Sequence, residues 1–159
     1  MSAGAFQSID QLAQWARRWI AVEELLFETL GRWARELPDP SVKRLFGTWC
    51  HRHAWHAELW RDRLPAVDWL ADTGDDVDAW IEPLRTALAD VRTSEEAIAA
   101  LRESVLPALE AAVGEHRDAI DPLLDGPTAR VLDLVGADLT TEVGVFPADG
   151  VLRVEFPSS

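Results

Sequence analysis

At 159 residues the chain fits one domain, long enough to bury a core without disulfide or metal staples. A formal net charge of −13 excludes a surface that tracks a phosphate backbone, because nucleic-acid binding depends on clustered Lys and Arg. No stretch reaches the uninterrupted apolar length of a membrane span, the opening MSAGAFQSIDQ has no basic, apolar leader, and the single cysteine, Cys50, can form no intrachain disulfide, so a soluble, cytoplasmic protein is expected.

Ser8 to Gln11 reads S-x-x-Q, a capping-box start. Apolar residues then recur at helical spacing through Ile9, Leu12, Ala16, Ile20, Phe27, Leu30, Ala34 and Leu37, which predicts a first helix over 9–37. Pro38 and Pro40 stop it, Ser41 is placed to cap the next helix, and so short a loop makes the neighbours antiparallel. A second helix over 41–63 carries Leu45, Phe46, Trp49, Leu59 and Trp60 as its apolar positions. Residues 64–93 are punctuated by proline and glycine and contain a short amphipathic segment that Pro83 is expected to bend, which reads as a long crossover.

Thr93 and the acidic pair Glu95 and Glu96 open a third helix over 94–120, continuing past Pro107. The stretch DPLLDGPT turns the chain, and a fourth helix over 127–142 carries Val131, Leu132, Leu134, Val135 and Leu139. Beyond it, alternating apolar runs flank Asp149-Gly150, which predicts a small β-hairpin over 143–156. A lone hairpin is marginal in water, so it should cover an apolar patch or a subunit contact, as in a homodimer. The expected fold is all-α: an antiparallel four-helix bundle with a long crossover that contains a short helix, and a C-terminal hairpin.

Three of the four histidines fall within HRHAWH, residues 51–56. On the first helix Glu23 has Ala16, Trp19, Ile20, Leu26, Phe27 and Leu30 around it at helical spacing, so its carboxylate projects into the apolar face. Glu24, one residue on, has Arg17 and Glu28 for neighbours and reads as the more solvated of the two. His53 and His56 share the inner face of the second helix, among Trp49, Leu59 and Trp60, while His51 lies off it. Residues equally distant from a tight turn between antiparallel helices lie at one level, and Glu23 stands level with His53 and His56 by this count. The same count in the second half brings Glu110 level with Asp138 and Thr141.

A carboxylate on one helix and a Glu-x-x-His on its partner, repeated around a long crossover, is the ligand plan of the ferritin-like and rubrerythrin-like di-iron bundles, and the chain resembles that superfamily across residues 9–142. The resemblance puts Glu23 and Glu110 in the lone carboxylate places and His56 at the first histidine. His53 stands where a glutamate would be, Asp138 stands for the second glutamate, and Thr141 replaces the second histidine. The ligand set is therefore incomplete for two irons.

What remains, Glu23 with His53 and His56, is a two-histidine, one-carboxylate set, which non-haem Fe(II) oxygenases use to leave positions open for oxygen and substrate. The functional expectation is iron, in a mononuclear or degenerate di-iron site, activating oxygen beside a small organic substrate in a tryptophan-lined pocket. Glu110 and Asp138 would add ligands or orient the histidines.

Two other readings stand beside it. A metal-free bundle could bind a small molecule or use Glu23 and His56 as an acid–base dyad, and a structural module could dimerise or dock to a partner through its hairpin and exposed apolar surface, with the same side chains as a buried hydrogen-bonded network. His116 faces inward too near the bundle end to join the site, and Asp133 is its expected partner. The tryptophans at 15, 19, 33, 49 and 60 follow the core stripes, so packing is their expected role.

Overall fold

Helices form wherever the sequence supplies both a cap and an apolar stripe. The computed structural model describes residues 8–66 and 77–146, and among these every regular element is helical. The first helix, α1, spans Ile9–Glu36. Its capping box is complete: Ser8 Oγ accepts from the Gln11 amide at 3.2 Å and Gln11 Oε1 accepts from the Ser8 amide at 2.8 Å. After the Pro38–Pro40 stop, α2 spans Pro40–Arg61. Its cap is Asp39 rather than Ser41: Asp39 Oδ1 accepts from the amides of Ser41 and Val42, and Pro40 occupies the first turn, where its missing N–H costs nothing.

The crossover contains α3, Val77–Ala89, which runs through Pro83 as one helix. Thr93 and Glu96 then cap each other's backbone and start α4, Ser94–Ala100. A π-helical stretch, Leu101–Val105, joins α4 to α5, Leu106–Ala119. Pro107 explains the wider turn: it offers no N–H to the carbonyl of Glu103, and its ring would press on that carbonyl in a regular α-helix. The extra residue relieves the clash, and the Leu106 amide donates to the carbonyl of Leu101, five residues back. The last helix, α6, spans Gly126–Gly144 and is capped by Asp125, whose side chain accepts from the Thr128 amide.

Side-chain pairs fix the helix directions. Arg63 reaches Asp125 and Thr128 while Arg52 reaches Glu142, so α2 and α6 are antiparallel. Arg117 meets Asp133 and Thr140 meets Glu110, so α5 and α6 are antiparallel as well. It follows that α2 and α5 run parallel, which requires the chain to travel back along the bundle between them. The residues that start α4 do lie beside the α1–α2 turn: Arg92 to Glu95 share a groove with Pro38, Asp39 and Pro40.

The core gathers Leu26, Leu30, Trp33, Phe46, Trp60, Leu101, Leu106, Leu132 and Leu139. Each such side chain contributes roughly 1.5–3 kcal/mol by leaving water. Phe27, expected on the core stripe, is 43 % exposed, and Ile9 and Leu134 also face outward. The buried stripe of α1 runs through Trp19, Val22, Glu23, Leu26, Leu30 and Trp33, which leaves position 27 on its flank.

The first residues of the expected C-terminal hairpin are helical instead. Val143 and Gly144 complete α6, and the amides of Val145 and Phe146 close a turn onto the carbonyls of Glu142 and Val143. The described residues contain no strand, and the rest of the expected hairpin, residues 147–156, lies outside them. Phe146 meets Trp49 edge to face at 5.5 Å.

Candidate metal centre

The antiparallel α1–α2 pair brings Glu23 against His53 and His56 in the middle of the bundle, with all three side chains buried. Glu23 Oε2 is 2.5 Å from His53 Nδ1 and 3.5 Å from His56 Nδ1. One ligand atom from each residue lies within 4.8 Å of the others, a spacing that a single ion could bridge. Glu24 points away and pairs with Arg61.

The far nitrogens of both histidines meet carboxylates of α6. His56 Nε2 lies 3.0 Å from Asp138 Oδ2, and His53 Nε2 lies 3.5 Å from Glu142 Oε2. A ligating imidazole is normally held by its second nitrogen donating to a carboxylate, which fixes its tautomer and orientation. With the Nδ1 atoms turned to Glu23 and the Nε2 atoms to α6, both rings stand in that arrangement. Asp138 thus stands at the outer nitrogen of His56 and Glu142 at that of His53. Glu142 is wholly buried, and its spacing from Leu132, Val135 and Leu139 shows why. It continues the core stripe of α6 by one more step of three, a signal already present within the expected 127–142 helix.

Glu110 does not join the cluster. Its carboxylate accepts from Thr140 Oγ1 at 3.0 Å along the α5–α6 seam. The turn count placed it at the correct level, but the inward stripe of α5 runs through Leu106, Leu109, Val113 and His116, which turns position 110 aside. Thr141 likewise faces outward and donates to the carbonyl of Ala137. His51 is exposed.

Arg52 closes the centre on the α2–α6 side. Its Nη1 donates to Glu142 Oε1 at 3.0 Å and its Nε is 3.7 Å from Asp138 Oδ1. The Asp138 side chain is 30 % exposed and that of Arg52 is 23 %, so this seam is the solvent-facing edge of an otherwise buried cluster.

Burial by itself would raise the Glu23 pKa, but the charge and hydrogen bonds of His53 and His56 overcome this and hold it below its ordinary value. Burial by itself would lower His53, but Glu23 and Glu142 overcome that and push it up to about 10. In the metal-free protein His53 is thus a buried imidazolium. With both rings neutral, as ligation requires, Glu23, Asp138 and Glu142 oppose only Arg52, leaving two negative charges that one divalent cation would balance. Two buried polar atoms also lack a hydrogen-bond partner here, His56 Nδ1 and Glu142 Oε2. The donor set, its charge and the orphaned His56 Nδ1 all fit a transition-metal ion.

His116 belongs to a separate aromatic cluster. Its Nδ1 accepts from Trp19 Nε1 at 2.9 Å, and its ring stacks on Trp15 at 4.5 Å. Asp133, its expected partner, is engaged by Arg117 instead. Trp60 stacks on Trp19 at 5.9 Å and on His116 at 6.3 Å, so these indoles pack with His116. An apolar cavity of about 290 Å³ lies elsewhere, between α1, α3, the π-helical stretch and α5. Val22, Trp80, Ile81, Leu84, Val105 and Leu109 form most of its wall.

No helix among the described residues is long and apolar enough to cross a membrane. No family model, curated protein or solved structure matches the chain.

Proposed function

We propose that this chain is a ferritin-like helical bundle that holds one divalent transition-metal ion on Glu23, His53 and His56, and that it uses the ion to oxidise a small apolar organic molecule. The observation that carries the reading is the orientation of the two imidazoles, with Nδ1 toward Glu23 and Nε2 toward Asp138 and Glu142. Iron is the metal that a two-histidine, one-carboxylate set suits when coordination positions are left open. Bound Fe(II) would supply one-electron chemistry and a place for dioxygen.

The chain's own residues do the rest. Glu23 supplies the anionic ligand atom, and His53 and His56 supply neutral ones once His53 has released its proton. Asp138 accepts from His56 Nε2–H, and the Glu142 carboxylate stands 3.5 Å from His53 Nε2, so both rings are kept from turning. Glu23, His53 and His56 are themselves buried within the same core as Trp19, Phe46, Trp49 and Trp60, which keeps water from the ligand atoms. The 290 Å³ cavity is about twice the volume of an engineered cavity that holds benzene, and its apolar wall suits a hydrocarbon-rich substrate. One wall residue, Val22, directly precedes Glu23 in α1.

The test is the metal content of protein produced with added iron and purified without chelator, set against a His53→Ala, His56→Ala double variant. Near-stoichiometric iron in the first and none in the second is the expected result, followed by oxygen consumption with apolar substrates. A specific observation favours a second reading. Glu23 and His53 satisfy one another at 2.5 Å without any ion, so the cluster could serve as a buried ion pair or an acid–base group in a metal-free bundle. Metal-free protein in both samples, with the variant merely less stable, would decide for that reading.

A further inference from the structure

Arg52 precedes the ligand His53 by one residue, and its side chain leaves α2 toward α6. There it touches both carboxylates that orient the histidines, at 3.0 Å from Glu142 Oε1 and 3.7 Å from Asp138 Oδ1. Each of those carboxylates thus presents one oxygen to a histidine and the other to the guanidinium. Glu142 is wholly buried, and an ionised carboxylate there requires a cation beside it. Two carboxylates from one helix face, with two imidazole nitrogens beyond them, form a cradle with the chemistry of a hard-to-borderline divalent cation site.

We propose that Arg52 is a built-in cation filling the second cation place of this centre, and that it restricts the centre to a single metal ion. The inference rests on the metal reading of Glu23, His53 and His56. Charge balance argues for it. One divalent ion together with Arg52 neutralises Glu23, Asp138 and Glu142, whereas a second ion would leave an excess of two positive charges in a buried cluster. A guanidinium keeps its charge at any pH the fold survives, and being part of the chain it competes with free ions at any metal concentration. Without Arg52, a single ion leaves one negative charge unbalanced, and Asp138 and Glu142 become free to take another.

Metal stoichiometry reads this directly. Equilibrium dialysis against Co²⁺, followed by metal analysis, is run on the unaltered protein, Arg52→Lys and Arg52→Ala. One ion is expected in the first two and two ions in Arg52→Ala. Adding Glu142→Gln to Arg52→Ala should return the count to one, which locates the second ion. If Arg52→Ala does not fold, Arg52→Gln, which can still donate to Glu142, carries the same readout. One ion in both the unaltered protein and the neutral variants would overturn the role of Arg52 and leave the Glu23 centre standing. Two ions in the unaltered protein would also overturn it, and none at all would overturn the metal reading with it.

Discussion

Glu23 Oε2 stands 2.5 Å from Nδ1 of His53, and both side chains are buried. Removing one member of such a pair leaves the other uncompensated in the core, which costs about 3–5 kcal/mol. Glu23→Ala should therefore destabilise the metal-free protein by about that amount in urea denaturation and should abolish metal binding. Glu23→Gln, which keeps the shape and one acceptor, should lose less stability while still binding metal far more weakly. Equal metal affinity in the unaltered protein and Glu23→Ala would remove Glu23 from the ligand set.

The same pair sets a pH dependence. The folded pKa of His53, about 10, lies above its free value of 6.5, so its contribution to stability is complete below about 6.5 and is lost as pH rises toward 10. Glu23 is lowered in the folded state, so its contribution is present above its free value of 4.5 and is lost as pH falls further. Ligation requires His53 to release its proton, so metal and proton compete. Apparent Co²⁺ affinity should rise about tenfold per pH unit between pH 6 and 8 from this one proton. A flat affinity profile over that interval would show that His53 is not a ligand.

His116 predicts acid lability with the opposite origin. Burial among tryptophans lowers its pKa to about 4, with Asp125 offsetting part of the effect, so in the fold it is neutral and accepts from Trp19 Nε1. The unfolded chain binds a proton on this residue from about 6.5 downward while the folded chain does not, so stability falls as pH drops from 6.5 to 4. His116→Phe should be less stable at pH 7, because the Trp19 indole N–H loses its acceptor, by about 1–3 kcal/mol. It should also lose less stability than the unaltered protein between pH 7 and 5. Urea midpoints of both proteins at the two pH values provide the check, and parallel losses would rule His116 out as the acid-sensitive group.

The Glu23, His53 and His56 set was legible because two signals agreed: helical phase turned the three inward, and distance from the Pro38–Pro40 turn put them at one level. Glu110 had only the second signal. Level along the bundle says nothing of direction around it, and one residue past Leu109 is enough to turn a side chain from the core to the α5–α6 seam. Glu142 carried the phase signal, three residues past Leu139 within the expected 127–142 helix, but as its last residue it was not counted among the inward positions. Arg52 could not be foreseen, because an arginine beside a buried histidine declares itself only when its partners on another helix are known. The capping boxes at Ser8 and Thr93 were readable because they are local, whereas the π-helical stretch before Pro107 depends on how the chain resolves a clash rather than on any residue pattern.

Gly31 offers a test of how closely α1 and α2 approach. A Cβ built on it would lie 3.1 Å from Cys50 Sγ, tighter than ordinary contact, and that thiol sits 3.3 Å from the carbonyl of Phe27. Helix propensity favours alanine over glycine by about 1 kcal/mol in a helix interior. Crowding against the facing helix works against that gain, because a half-buried thiol on rigid backbone has little room to move. Gly31→Ala alone should therefore be neutral to destabilising. In a Cys50→Ala background, where the sulfur is gone, the same change should stabilise the protein by close to the full propensity, about 1 kcal/mol. The double-mutant cycle isolates the contact as the coupling between the two positions. If Gly31→Ala stabilises equally in both backgrounds, the helices have more freedom at this crossing than a 3.1 Å approach allows, and Cys50 is not what keeps residue 31 small.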